Sequence, residues 1–281
     1  MWTNSLLKQN AWKSLKPNYW TAFGISIMYI IMLYLPNIIA RGAVSVSINV
    51  SIKDIERWIE LVEEFSQMSE LEIEKHLPQI LDAFMPIYRW IATVAVISWA
   101  IVIVVTIFIT NLTECGMCSF YCKSRQGEVD IGRFFHYFTS GHYGPVMKVM
   151  FFRWLYTFLW ALALVIPGFV KRYEYLLIPY LLAENPNLPK ERAFAISRQT
   201  MNGEKWKCFI LEVSFIGWWI LGALCFTVGM VFVMPYYRAT MAEFYTCMRA
   251  KMLAMGFTTE EELNPESISN GMPTDMGNMA M

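Results

Sequence analysis

Of 281 residues, 56% are apolar and only 16% are charged, against roughly 25% charged in an ordinary soluble domain, so a bilayer is the expected solvent. The 23 basic and 23 acidic residues cancel, which leaves no basic excess for gripping nucleic acid. None of the six cysteines falls in the long polar stretch between Arg41 and Arg89, so a disulfide framework there is excluded.

Lys8, Lys13 and Lys16 precede the first apolar run, and no small-residue cleavage site follows it. The run is therefore read as a retained span and not as a signal peptide. From Pro17 to Ala40 there are 24 uncharged residues. About 20 suffice to cross a hydrocarbon core of about 30 Å. Residues 41 to 88 then turn acidic, with nine Asp or Glu against Arg41, Lys53, Arg57 and Lys75. Ile52, Ile55, Ile59, Val62 and Phe65 recur at helical spacing, Ser69 to Glu72 reads as a capping box, and Pro78 reads as the start of a further turn. The insert is predicted to be a small helical cap.

Trp90 to Thr113 forms a second uncharged run of 24 residues, helical because lipid offers its backbone no other partner. Residues 114 to 145 mix aromatic residues with scattered charges and are predicted to form a helix lying at the interface. Within them Cys115, Cys118 and Cys122 share a helical face. No fourth ligand stands at metal-site spacing, so they are read as small packing residues or reduced thiols and not as a metal or acylation site.

A third span is predicted from about Val146 to Val165, a turn at Ile166-Pro167-Gly168, and a fourth span from Gly168 to Ala183, stopped by Glu184-Asn185-Pro186. Pro189 then opens an amphipathic helix, Gly203 closes it, and Trp206 marks re-entry at an interface. After Glu212 come 25 uncharged residues, divided at Thr227-Val228-Gly229 into the fifth and sixth spans. The polar tail from Gly256 is predicted to be disordered, with Met272, Met276, Met279 and Met281 a floppy end in preference to a Cu(I) site.

The predicted fold is all-α: a polytopic membrane protein of six transmembrane helices in three hairpins, with an amphipathic interfacial helix and a helical extracytoplasmic insert. Its divisions are 1–40, the N-terminus and first span; 41–89, the insert; 90–255, the membrane domain; and 256–281, the tail. With six spans, 13 basic residues fall on the side of the termini and 5 on the other. That bias places both termini in the cytoplasm of a multi-pass protein of the cell membrane.

Ile166-Pro167-Gly168, Tyr180-Leu181-Leu182-Ala183-Glu184-Asn185-Pro186, Ser197, Met201, Gly203, Lys205-Trp206 and Ser214-Phe215-Ile216-Gly217-Trp218 carry a family likeness. In these motifs the chain resembles a family of bacterial integral membrane proteins known as domain of unknown function 975. The resemblance covers about residues 1 to 40 and 90 to 250, and the acidic insert and the Cys-rich segment depart from it. It is more distantly similar to the membrane domain beside some glycerophosphodiester phosphodiesterases, without any soluble phosphodiesterase domain. The resemblance implies a multi-span membrane protein and brings no catalytic residue.

Ionisable groups inside spans are the best pointers to function in such a chain. Counting about 1.5 Å per residue, Arg153, Glu212 and Glu243 fall some 9 to 10 Å inside the cytoplasmic edge, while Glu174 and Arg238 lie about 9 and 14 Å from the outer edge. They read either as a polar pathway or as interhelical ion pairs that fix packing, and the second reading carries more weight. Glu174 and Arg238 are expected to pair with each other. The histidines His76, His136 and His142 lack metal-site spacing, Ser197 lacks a nucleophile elbow, and no phosphate-binding glycine loop is present. The expected protein is non-enzymatic and without cofactor or metal. It acts as a scaffold, immunity or envelope-stress factor whose acidic insert meets a protein partner; the alternative is a transporter or lipid-handling protein.

Overall fold

The computed structural model describes residues 2–38, 42, 70–139, 141–225 and 228–265, and all regular structure among them is helical. The chain divides into two compact units, Met1–Ile31 with Ile109–Met281, and Met32–Phe108. Of the insert predicted at 41–89, residues 43–69 lie outside the described residues, and 70–89 form the start of a long helix.

Among the described residues, four helical stretches are long and apolar enough to cross a membrane: Asn4–Ile38, Tyr88–Ser124, Tyr143–Ala163 and Lys205–Leu224. The first, α1, carries a 3-10 turn over Lys16–Asn18, where Pro17 removes a backbone donor. The second is the apolar part of a longer helix, α2, spanning Glu70–Ser124. Pro78 sits inside α2 and starts no new turn, so the ring costs a hydrogen bond without ending the helix. In the Met32–Phe108 unit the side chains of α2 face outward on several sides, with Val96 68% and Trp99 65% exposed. An apolar helix with this much exposed apolar surface matches a lipid surrounding.

Residues 114 to 124 do not lie flat at an interface. They continue α2 and are among the most buried of the chain, with Leu112, Cys115, Met117 and Phe120 fully enclosed. Small side chains decide this. Cys115, Gly116, Cys118 and Ser119 let the backbone of α3 (Gly132–Thr139) approach until the Phe134 carbonyl touches Gly116.

From there α4 (Tyr143–Ala163) and α5 (Val165–Glu174) form a tight hairpin. Leu164 breaks the helix in extended conformation, and Gly168 lies so close to Ala161 that a Cβ would sit 2.7 Å from its backbone nitrogen. The expected fourth span is not one helix. It divides at Tyr175–Leu177 into α5 and α6 (Ile178–Glu184), and Leu177, Ile178, Leu181 and Leu182 are buried within the protein. At about 1.5 Å per residue neither piece can cross the core.

The amphipathic helix α7 (Lys190–Thr200) forms where predicted, with Pro189 at its N-cap and Ala193, Phe194, Ile196, Ser197 and Thr200 on its buried face. Gly203, at φ +79°, makes the left-handed turn that follows. Next come α8 (Lys205–Val213), α9 (Ile216–Leu224) and α10 (Val228–Ala254). Gly222 of α9 rests against the backbone of Gly229 and Met230, at 2.8 to 3.1 Å from a built Cβ, which is the close packing its lack of a side chain permits.

The N-terminal part of α1 runs antiparallel along α10. Trp2 packs edge-on against Phe244, Trp12 against Tyr236, and Phe23 stacks on Phe232. The Tyr19 hydroxyl donates to the Phe232 carbonyl at 3.1 Å. The tail is ordered further than expected, through a last short helix, α11 (Glu260–Leu263), because Leu263 is buried and Glu260 and Glu262 find arginines.

Candidate functional site

Within the Met1–Ile31 and Ile109–Met281 unit, charged side chains pair where helices of different sequence position meet. Arg153 of α4 donates to Glu114 of α2. Arg125, just past the end of α2, donates through Nε to Glu243 of α10 at 2.7 Å. Glu212 of α8 accepts from the hydroxyls of Tyr173 at 2.6 Å and Tyr237 at 2.9 Å, and from Arg172 at 3.3 Å. Each pair joins segments distant in sequence, and the burial of Glu243 makes its pair with Arg125 costly to half-remove.

Glu174, at the end of α5, has three cations around it. Lys171 donates to it at 2.6 Å, Lys205 donates to its other oxygen, and Arg198 stands 3.8 Å away. Its own backbone carbonyl accepts from Ser197 Oγ at 2.6 Å, inside the protein. The motif Ser197, Met201, Gly203, Lys205-Trp206 thereby acquires a physical meaning: Ser197 and Lys205 fasten α7 and α8 to the end of α5, with Met201 fully buried between. Lys251 completes the joint by donating to the Thr200 carbonyl at 2.9 Å and to Glu204 at 3.1 Å.

A second cluster closes the far end. Arg249, 5% exposed, donates through Nε to Glu184 at 2.9 Å and through its terminal nitrogens to Glu260. Tyr245 donates to Glu184 at 2.8 Å, and Asn185 to the Glu262 carbonyl at 2.7 Å. Arg192 binds Glu262 through two bonds of 2.6 and 2.7 Å and holds its carboxyl below the usual carboxylate range. Glu184-Asn185-Pro186 is thus more than a helix stop. It is the seat of the segment after α10, and only its resemblance motif marked it in the sequence.

Of the five residues singled out from the sequence, Arg153, Glu174, Glu212 and Glu243 each have a partner of opposite charge, and Arg238 has none among the described residues. The expected Glu174–Arg238 pair does not form. The reason is that α5 ends beside α8, so that Lys171 and Lys205 reach Glu174. Arg238 instead lies over the rings of Tyr29 at 5.2 Å and Tyr237 at 5.9 Å, its Nε buried without a hydrogen-bond partner. The partners Glu114, Arg125, Lys205 and Tyr173 were not foreseen, because nothing local to them tells which helix lies alongside.

A double-mutant cycle on thermal stability in detergent, with Glu174→Gln, Arg238→Gln and both together, is therefore expected to give additive losses within about 0.5 kcal/mol. A larger coupling would mean that the two side chains meet after all.

Fold and site define a class: an all-helical protein with helices long and apolar enough to cross a membrane and with ion pairs between segments distant in sequence. Residues 7–252 match the family described as Protein of unknown function (DUF975), and the chain belongs to that family. Searches of curated proteins and of solved structures each found no match.

Proposed function

We propose that this is a non-enzymatic integral protein of the cell membrane that works through contacts, as a scaffold, immunity or envelope-stress component whose acidic insert meets a protein partner. The observation that carries the reading is the pairing of Arg153, Glu174, Glu212 and Glu243 with partners on other segments. Charges committed in this way fix packing, whereas a conducting path needs groups free to exchange partners. Both termini, the segment around α3 and α7 are assigned to the cytoplasmic side on the basic-residue bias of 13 against 5. Arg238 favours a second reading, a transporter or lipid-handling protein, because its buried Nε lacks a hydrogen-bond partner among the described residues.

The experiment is reconstitution in sealed liposomes with a panel of protons, ions and fluorescent lipids, comparing the native protein with Arg238→Gln and with the double replacement Arg153→Gln, Glu114→Gln. The contact reading expects no protein-dependent flux in any of them, with retained fold in the double variant. Flux that Arg238→Gln abolishes would establish the transport reading in its place.

A further inference from the structure

The four stretches long enough to cross a bilayer do not have equal amounts of uncharged length. In α1 and α2 the uncharged residues lie in a single helix, 22 from Pro17 to Ile38 and 24 from Trp90 to Thr113. In the α4–α5 hairpin, the 17 residues from Trp154 to Val170 are shared by two arms. Between Glu212 and Arg238, 25 uncharged residues likewise serve both α9 and α10. An arm that crosses the core needs about 20 residues of its own.

Side-chain pairing sets the depth. Glu114 is the residue at which the uncharged run of α2 ends, and Arg153 bonds to it, so Arg153 lies at the edge of the hydrocarbon. From Arg153 the tip at Ala163 is ten residues on, about 15 Å, half of a core of about 30 Å. On the returning arm, Lys171 lies over the Trp160 ring at 5.4 Å and Glu174 joins Lys205, which precedes the exposed Trp206. On the other hairpin, Val228 is ten residues from Arg238, about 15 Å, and Leu224 is twelve from Glu212, about 18 Å.

The neighbour of α4 gives an independent limit. Phe194 of α7 packs on Tyr156 at 5.5 Å, and Lys190 lies over Phe152 at 4.1 Å. The outer face of α7 exposes Glu191 and Arg198, with side chains 77% and 58% accessible, and needs water or headgroups around it. The part of α4 beside α7 therefore lies close to the headgroup boundary and not deep among the acyl chains. Beyond that level the hairpin is wholly apolar and open, with Val165 81% and Ile166 79% exposed, and Leu224 at the other tip 75%.

We propose that the α4–α5 and α9–α10 hairpins are re-entrant, dipping into the acyl chains of one leaflet and turning back near the midplane, with Lys171, Arg172, Arg198 and Lys205 at its phosphate level. α1 and α2 are then the full crossings. The partner of both tips is the lipid of a single leaflet. The sidedness of the termini is unchanged, since a re-entrant hairpin returns to the side it left.

Cys225 tests this with no structural replacement, because it is the exposed one among the described cysteines and sits at the α9 tip. A small fluorophore attached there in detergent, with Cys225→Ala as the labelling control, is carried into liposomes whose lipids bear bromines at defined chain positions. Quenching is expected to be greatest with bromines near the chain ends, and at least threefold weaker with bromines near the headgroup. Ile166→Cys in the Cys225→Ala background reports the same for the other tip. In sealed vesicles of both orientations, neither cysteine is expected to react with a membrane-impermeant maleimide. Reaction from the face opposite Lys205 would make the hairpins complete crossings and overturn the proposal. Reaction from the Lys205 face, or strongest quenching at headgroup depth, would place the tips outside the acyl chains and overturn it equally.

Discussion

Arg249→Met is expected to lower stability by about 3 to 5 kcal/mol, the range for removing one partner of a buried pair. The arginine is 5% exposed and stands between two carboxylates, Glu184 and Glu260, with Tyr245 donating to the first. Taking away the guanidinium leaves the Glu184 oxygens enclosed with a single hydroxyl donor. Arg249→Lys is expected to recover only part of the loss, since one ammonium cannot serve both carboxylates through paired bonds. Thermal unfolding in detergent measures the first effect. Limited proteolysis measures the second, because Gly256 to Thr258 are held near α7 by Arg192 donating to the Phe257 carbonyl at 3.2 Å. A loss below about 1 kcal/mol, the size of an exposed pair, would mean that Arg249 is no more than a surface contact.

At Gly116 local propensity and tertiary packing predict opposite signs. Within a helix, glycine to alanine gains about 0.8 to 1 kcal/mol. At Gly116, however, an added Cβ would meet the Phe134 carbonyl, a backbone atom that cannot rotate away. Gly116→Ala is therefore expected to destabilise by about 1 to 3 kcal/mol, the usual cost of overpacking, by forcing α3 off α2. Gly24→Ala is the control, because nothing lies within 4 Å of its built Cβ and the propensity gain should appear undiminished. Melting temperatures of the two variants moving in opposite directions would bear out the packing. If both rise, α3 has room to shift and the contact is soft.

What the chain determines by itself is whatever depends on neighbours a few residues away. The uncharged runs of α1 and α2, the buried stripe of α7 and the left-handed Gly203 follow from periodicity, charge spacing and backbone freedom and are found in the structure, whereas the turn expected at Ile166-Pro167-Gly168 falls at Leu164 and those three residues lie in the first turn of α5. Family membership was equally legible, through short motifs that act on one another across helices. Counter-ions were not. Glu174 sits ten residues before Glu184 on what reads as one apolar run, and only the break at Tyr175–Leu177 places its carboxylate beside Lys205 and leaves Arg238 over tyrosine rings. The same holds for Glu184, which reads as a helix stop and becomes the anchor of the segment that holds Glu260. A charge finds its partner through space, and which helix lies alongside is set by the summed packing of small residues such as Gly116, Gly168 and Gly222, a property of the assembled chain and of no single stretch.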